Sequence, residues 1–297
     1  MPTAVIAIDI GGTKINGALV DERFQILHQI IAPSRDGVIG IADPGLTRTE
    51  SVIRELLEIA RSEGIDVKEG AAGFPEYVTL DGTLLTRENI DWQGQPKQEF
   101  AEISGFPWII ESDVRCAGTA EARIGAGKDF SDFVYITVSS GISHTHFLGG
   151  CAQPGSDGSA IGFGVHELLL EGQIRSLESY ASGLGIARRY ALVSGHDSAH
   201  APEVLAQYDT DNDAHRIVKS AAEILGSEIA KFAWEMGTHY IVIGGGLWLG
   251  SDLYRSLVRD AFNRELQVRA HSAQIVEAIV ADSGVIGAAI YAFDQLV

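Results

Sequence analysis

The residues best suited to chemistry lie near the start of the chain, where an acid is followed by two glycines, a threonine and a lysine: Asp9, Gly11, Gly12, Thr13 and Lys14. The acid comes near the end of an apolar run typical of a buried strand, and apolar residues resume after the lysine. Glycines let the backbone approach a ligand closely, and outward-facing turn amides bind anions. A carboxylate at this position can hold a cation, directly or through water. The segment suits the phosphates of a nucleotide, although the residues alone fit an ordinary hairpin equally well.

Two further glycine turns follow predicted strands, one at Ser140 and Gly141 and one at Gly244, Gly245 and Gly246. Ligands of open α/β sheets bind outside the carboxyl ends of the strands, so we expect the three turns to surround a nucleotide. The chain contains no G-x-x-x-x-G-K-[ST] sequence, which excludes a Walker A loop. One such turn is more often a plain turn than a ligand site, and the prediction rests on their combination.

Asp113 is the candidate general base. It follows a short apolar strand and opens a predicted helix. A carboxylate there could accept the proton of a substrate hydroxyl as that hydroxyl attacks a γ-phosphoryl group. An aspartate at a helix start is also a common N-cap, and position alone favours that structural role. Asn89 and Glu178 lie in predicted loops and are of the type that binds sugar hydroxyls.

Alternating strands and helices must position these residues, and this alternation predicts an α/β fold. The strand–turn–strand pattern of residues 4–18 recurs at residues 133–148, which indicates two related lobes. We expect an N-terminal lobe at residues 1–115, onto which residues 281–297 pack back, and a C-terminal lobe at residues 116–280. Periodicity and turn signals predict strands near 4–10, 24–31, 108–111, 133–139, 142–148, 240–243 and 274–280, an Asp-Gly hairpin over 77–85, loops over 33–40 and 149–164, and helices near 46–63, 114–124, 179–194, 202–208, 211–236, 247–266 and 284–296.

Composition narrows the function further. The 297 residues carry 40 acids and 22 bases, a net charge of −18, which argues against a nucleic-acid surface. Cys116 and Cys151 are too few for a disulfide framework or a four-cysteine zinc site, which fits a reducing cytoplasm. His144, His146 and His166 match no standard zinc spacing. The first apolar run lacks the features of a signal peptide, and no run reaches the ~18 residues of a membrane span. We therefore expect a cytoplasmic protein that acts on a small molecule, without a nucleic-acid or membrane partner.

Taken in order, the motifs resemble those of the ROK family of sugar kinases and regulators, within the actin-like ATPase superfamily. Residues 9–14 resemble its first phosphate motif. Gly73 belongs to a segment that resembles its G-x-P-G turn, and Asn89 belongs to one that resembles its N-L-x-W sugar loop. Ser112 and Asp113 belong to a segment that resembles its E-N-D-x-N catalytic motif. Residues 177–183, 243–246 and 282–289 resemble its sugar, adenosine and closing-helix motifs. The resemblance implies a two-lobed, ribonuclease H-like fold with a cleft between the lobes.

The same resemblance implies ATP-dependent phosphorylation of a hexose or N-acyl-hexosamine and, in many members, a homodimer. Asp113 would be the base and Asp9 would lie near Mg. The implied nucleotide contacts are Asp9, Gly11, Gly12, Thr13, Lys14, Ser140, Gly141, Gly244, Gly245 and Gly246. The implied sugar contacts are Gly73, Asn89, Ser112, His166 and Glu178.

Several positions depart from the family pattern. Ser112 replaces the asparagine before the catalytic aspartate, and residues 139–145 read S-S-G-I-S-H-T where the family has G-T-G-I-G-G-G. Gly162 and Val165 replace a sugar-binding glutamate and histidine, which leaves His166, one position later, as a substitute. Glu76 replaces the last glycine of G-x-P-G. The zinc cysteines are replaced by Leu169, Glu171 and Ser176, so no structural zinc is expected.

Two functions remain open at this point. The first is an ATP-dependent sugar kinase with an altered acceptor site. The second is a catalytically weak ROK-like protein that senses a sugar or nucleotide and lacks a DNA-binding domain. ATP turnover over a panel of sugars distinguishes them.

Overall fold

The computed structural model describes residues 3–34, 43, 46–195 and 200–296, and most of the loop predicted over 33–40 lies outside them. The chain forms two compact units. The first contains residues 1–124, 154–160 and 280–297, and the second contains residues 125–153 and 161–279. The chain first passes from one unit to the other at Ile124–Gly125, and it passes again at 153–154, 160–161 and 279–280. The sequence analysis placed the first passage at residues 115–116, and the lobe boundaries stay a prediction.

The elements of the first unit are β1 (Thr3–Ile10), β2 (Lys14–Asp21), β3 (Ile26–Pro33), α1 (Thr47–Glu63), β4 (Asp66–Phe74), α2 (Pro96–Ser104), β5 (Trp108–Ser112), α3 (Asp113–Ile124) and, from the C-terminal segment, α10 (Ser283–Gln295). Those of the second are β6 (Asp132–Val138), β7 (Ile142–Leu148), β8 (Cys151–Ala152), a 3₁₀ helix (Gly162–Val165), β9 (Glu167–Leu170), β10 (Gln173–Ser176), α4 (Leu177–Ala181), α5 (Gly183–Ser194), α6 (Ala201–Ala206), α7 (Asn212–Met236), β11 (Tyr240–Gly244), α8 (Gly246–Leu249), α9 (Asp252–Arg269) and β12 (Gln274–Glu277).

The sheets of the two units share one topology. The first runs β3-β2-β1-β4-β5 and the second runs β8-β7-β6-β11-β12. In each sheet the first three strands along the chain are antiparallel and the last two join in parallel. The repeat read from residues 4–18 and 133–148 thus extends to whole sheets, and the α/β prediction is confirmed.

Side-chain alternation along β1 builds two cores in the first unit, because successive strand residues face opposite sides of a sheet. Ile6, Ile8 and Ile10 pack in the core that α1 and α2 complete. Val5 and Ala7 pack in the core that α3 and α10 complete. Asp9 continues this second series at the strand end, so the same pattern that buries β1 directs its acid toward the α10 side.

Local signals set most helix ends. Gly64, with a left-handed φ of 67°, ends α1 where the sequence predicted. The Asp211 carboxylate caps α7 by accepting hydrogen bonds from two first-turn amides. The helix predicted over 179–194 is instead two helices, because the Ser182 side chain accepts from the Gly185 amide and begins α5.

Other sequence predictions differ from the structure. The loop predicted over 149–164 contains β8 and the start of the 3₁₀ helix, and the helix predicted over 247–266 is two helices, α8 and α9. Of the Asp-Gly hairpin predicted over 77–85, the structure has one isolated bridge, between Val78 and Leu84. The β9–β10 hairpin was not predicted, and neither was α2. The strand predicted over 274–280 ends at Glu277. Among the residues described, no helix is both long and apolar enough to cross a membrane.

Candidate active site

The first group of predicted site residues meets at one edge of the first sheet. Asp9 pairs with Gly73 across β1 and β4, and Gly73 pairs with Glu111 across β4 and β5. Asp113 follows β5 directly as the first residue of α3. A Cβ on Gly73 would lie 3.3 Å from Asp113 Cα, so glycine lets α3 begin close to β4. Parallel pairing of three strands therefore brings Asp9, Gly73 and Asp113 together.

Asp9 lies in a confined acidic environment. Burial raises the pKa of Asp9 from 3.8 to about 6; the charge of Lys14 opposes the rise and that of Asp282 adds to it. A Cβ on Gly284 would lie 2.5 Å from Asp9 Cγ, so only glycine fits there at the start of α10. Asn16 is buried and donates a hydrogen bond to Asp282 Oδ1 at 3.0 Å. The candidate site therefore includes the start of α10, which lies near the opposite end of the sequence from Asp9.

The turn after Asp9 is tight and open to solvent. Gly11 donates its amide hydrogen bond to the Lys14 carbonyl at 2.9 Å, and a Cβ on Gly11 would lie 3.1 Å from that oxygen. Gly12 is half-buried, and Thr13 and Lys14 are exposed. The hydroxyl and the ammonium group of this turn are therefore accessible to a ligand.

Asp113 has the pKa of a general base. Burial raises the pKa of Asp113 from 3.8 to about 7; the charges of Asp9 and Glu76 add to the rise, while the Val114 amide and Arg115 oppose it. The helix cap is supplied by Ser112, whose buried hydroxyl accepts from the Arg115 amide at 3.4 Å. Asp113 Oδ1 also accepts from a first-turn amide, that of Val114, at 2.6 Å. Asp113 as the general base and Ser112 as a sugar contact stay predictions.

A loop beside this edge carries Asn89. Asn89 is exposed, and its side-chain Nδ2 donates to the Pro75 carbonyl at 2.7 Å. Glu76 is buried, and its carboxylate accepts from the loop amides of Glu88, Asn89 and Ile90. The sequence marked Glu76 only as a departure from a glycine and missed its contacts with the loop.

Arg115 ties three segments of the first unit together. Its buried guanidinium pairs with Glu111, and it donates to the carbonyls of Gly158 at 2.6 Å and Val78 at 2.7 Å. Gly158 has a left-handed φ of 88°, and a Cβ there would lie 2.1 Å from the Val78 oxygen. Arg115 thus fixes the start of α3, just after Asp113.

The second and third glycine turns meet in the second unit. Gly244 at the end of β11 pairs with Thr137 near the end of β6. Gly245 has a φ of 94°, and a Cβ on it would lie 2.5 Å from the Val138 carbonyl oxygen. The nearest neighbour of a Cβ on Gly246 would be Ser139 Oγ, at 3.6 Å. Close backbone approach therefore explains Gly245, and Gly246 adjoins the turn of residues 139–141.

The turn of Ser139, Ser140 and Gly141 is fixed from two sides. The first amides of α5, Gly183 and Leu184, donate to the Ser139 and Ser140 carbonyls at 2.8 and 3.2 Å. On the other side, Glu178 Oε2 accepts from the Ile142 amide at 2.7 Å. A Cβ on Gly141 would lie 2.6 Å from that same oxygen. The Glu178 carboxylate therefore supports the turn, and its role as a sugar contact stays a prediction.

His166 is on the second unit, and its carbonyl accepts at 2.9 Å from the amide of Leu177, directly before Glu178 in the chain. Its exposed ring is 3.5 Å from the buried Glu228 carboxylate, which also pairs with Lys231. Together with Phe163 and Phe232 these residues line a shallow pocket. His166 as a substitute sugar ligand stays a prediction.

A metal ion at Asp9 would be held by few of the described side chains. Within the described ranges, no group of three or more His, Cys, Asp or Glu side chains is arranged to hold a metal ion. Mg²⁺ commonly binds one or two carboxylates and completes its coordination with waters and substrate phosphates. The pair of carboxylates at Asp9 and Asp282 fits that mode.

Comparison with known proteins identifies the family. The sequence profile of the ROK family matches residues 5–295. The chain belongs to the ROK family. It is 27% identical to a glucokinase of Streptomyces coelicolor, over 96% of each protein, and 26% identical to an N-acetylmannosamine kinase of Salmonella arizonae, over 97% of each.

A solved ROK structure shares the whole fold. A ROK family glucokinase from Streptomyces griseus, in complex with glucose and AMPPNP, superposes with a TM-score of 0.79. The two are 26% identical, and the alignment covers 98% of this chain and 99% of that one. The predicted resemblance to the ROK family and its two-lobed actin-like fold are confirmed.

Proposed function

We propose that this ROK protein is an ATP-dependent sugar kinase that transfers the γ-phosphoryl group to a hydroxyl of a hexose or hexose derivative. One observation carries the proposal: Asp113 lies at the same sheet edge as Asp9, with its pKa raised to about 7. A base of that pKa accepts a proton efficiently near neutral pH. The similarity to glucokinases and N-acetylmannosamine kinases supports a carbohydrate kinase and leaves the acceptor open.

In this reaction Asp113 accepts the proton of the acceptor hydroxyl as its oxygen attacks the γ-phosphorus. The bond from that phosphorus to the bridging oxygen breaks, and ADP leaves. Arg115 and Ser112 hold the start of α3, so the Asp113 carboxylate is positioned before the acceptor binds. Phosphoryl transfer depends mostly on such positioning and on charge stabilisation.

We assign the remaining roles by residue type. The turn of Gly11, Gly12, Thr13 and Lys14, together with Ser140 and Gly141, would hold phosphates, and Gly244, Gly245 and Gly246 would flank adenosine. Asp9 would hold Mg²⁺, which neutralises phosphate charge when bound. The acceptor would contact Gly73, Asn89, Ser112, His166 and Glu178.

A second candidate is a sugar or nucleotide sensor with weak or no turnover. The sequence S-S-G-I-S-H-T at residues 139–145 favours it, because side chains replace glycines beside a phosphate turn. The Glu178 carboxylate next to Gly141 adds a negative charge there. Such a sensor would bind its ligand through the same turns and act through a partner.

Turnover of ATP with a panel of hexoses, hexosamines and N-acyl-hexosamines tests the two functions. Release of ADP that requires one sugar, and that Asp113→Asn abolishes, is the expected result for a kinase. Asp129→Asn, which alters an exposed aspartate, is the control. If no sugar supports turnover while a sugar or nucleotide raises the melting temperature, the kinase proposal is wrong and the sensor replaces it.

A further inference from the structure

The Glu76 carboxylate lies at the centre of the loop that carries Asn89. One oxygen, Oε1, accepts from the amides of Asn89 at 2.7 Å and Ile90 at 2.9 Å. The other, Oε2, accepts from the Glu88 amide at 3.2 Å and from the Thr86 hydroxyl. Four donors within five consecutive residues thus converge on one side chain.

A carboxylate is the group that this arrangement requires. Ionised Glu has two acceptor oxygens and no donor, so it satisfies all four donors at once. Only 3% of Glu76 is exposed, so these donors take the place of water. A glycine at position 76, as in the ROK motif that the chain resembles, would leave the same amides without this acceptor.

The loop has a second set of hydrogen bonds that do not involve Glu76. Asn89 Nδ2 donates to the Pro75 carbonyl at 2.7 Å, directly before Glu76 in the chain. Trp92 Nε1 donates to the Thr86 carbonyl at 2.7 Å. Hydrogen bonds thus hold both the main chain of Asn89, through Glu76, and its side chain, through Pro75.

Glu76 also acts electrostatically within the same unit. Its charge contributes to the raised pKa of Asp113. Glu76 therefore interacts with the loop of Asn89 through hydrogen bonds and with the candidate base, Asp113, through its charge.

We propose that Glu76 is a positioning residue for the acceptor: its buried carboxylate fixes residues 86–90 so that Asn89 is held ready for a sugar hydroxyl. The inference rests on the proposed sugar kinase, because Asn89 has this role only if the loop binds an acceptor. The hold on the loop itself is independent of any reaction.

Amide hydrogen exchange tests that hold without substrates. In Glu76→Ala, exchange at residues 88–90 is expected to accelerate about tenfold or more, because three amides lose a charged acceptor. Glu76→Gln keeps Oε1 as an acceptor and places a donor opposite the Glu88 amide, so exchange at Glu88 accelerates more than at Asn89 and Ile90. Unchanged exchange at all three amides in both variants overturns the proposal.

Steady-state kinetics test the consequence for the acceptor, with the sugar that the panel identifies. In Glu76→Ala the apparent KM for that sugar is expected to rise about tenfold, with the KM for ATP within about twofold of wild type. Glu76→Gln should recover part of the sugar KM. Glu102→Gln, which removes an exposed charge on α2, is the matched control and should match wild type.

Thr86→Val keeps Glu76 and removes one donor, so it remains informative if Glu76→Ala does not fold. It should raise the sugar KM in the same direction by a smaller factor. An unchanged sugar KM in every folded variant, with faster loop exchange, would refute the acceptor role. Absence of turnover by wild type with any sugar refutes the proposed function instead, and the exchange result still decides whether Glu76 holds the loop.

Discussion

The Asp113→Asn substitution should stabilise the protein while abolishing phosphoryl transfer. The side chains have the same shape, and Asn Oδ1 can still accept the hydrogen bond that the Val114 amide donates to Asp113 Oδ1 at 2.6 Å. The substitution removes the charge and replaces one carboxylate oxygen by an NH2 group. Because burial and nearby acids make that charge unfavourable in the folded state, its removal lowers the free energy of the native protein.

The size of the effect follows from the pKa. A rise from 3.8 to about 7 corresponds to at most about 4 kcal/mol, at about 1.4 kcal/mol per pKa unit. Asp113 is half-buried, so solvent screening reduces this to about 1–2 kcal/mol. Between pH 3.8 and about 7 the native state binds more protons than the unfolded state, so stability falls as pH rises through this window. The gain in Asp113→Asn is therefore complete above pH 7 and absent below about pH 4.

Urea unfolding of wild type and Asp113→Asn at pH 8 and pH 4.5 measures this difference. We expect the variant to be more stable by about 1–2 kcal/mol at pH 8, with a melting temperature about 2–5 °C higher, and nearly equal to wild type at pH 4.5. Asp129→Asn should change neither value. A less stable Asp113→Asn at pH 8, or an equal gain at both pH values, would refute the assigned pKa and its cause.

Three further outcomes follow from the same unit. Gly284→Ala should displace the Asp9 carboxylate, because the new Cβ would lie 2.5 Å from Asp9 Cγ. We expect the free energy of unfolding in urea to fall by about 1–3 kcal/mol and turnover to depend less on Mg²⁺. No change in either measurement would contradict the contact. Arg115→Met should lower the free energy of unfolding by about 3–5 kcal/mol, because Glu111 and two backbone carbonyls lose their partner. Arg115→Lys should not restore this stability, and a lysine variant as stable as wild type would disprove the three-way contact. The kcat/KM for sugar should rise about tenfold per pH unit below pH 7 and level off above it; a flat profile there would exclude Asp113 as the base.

The sequence was sufficient for the parts of the site that follow from strand order. Asp9 lies near the end of one predicted apolar strand and Asp113 directly follows another, and parallel pairing of β1, β4 and β5 places both at one sheet edge. The repeat of the strand–turn–strand pattern likewise predicted two similar sheets. Both inferences use only apolar runs and turn residues.

Other contacts depend on distant segments that periodicity does not relate. The fit of Gly284 against Asp9 joins the two ends of the chain, and no local pattern pairs them. Glu76 could be noted as an unusual residue, but its four donors depend on how residues 86–90 return to it. The β9–β10 hairpin was missed because its two four-residue strands are too short to show a clear alternation.

The position of α10 has a consequence for synthesis on the ribosome. The face of β1 with Val5 and Ala7 is covered by Val285, Ala288 and their neighbours, which are translated after nearly every other described residue. The second unit ends at residue 279, so its whole sequence is synthesised before α10 is. We expect the first unit to complete its fold no earlier than the second, in contrast to the usual N-terminal order of nascent chains. Until α10 emerges, the first sheet exposes an apolar face, and it is this intermediate that chaperones would bind.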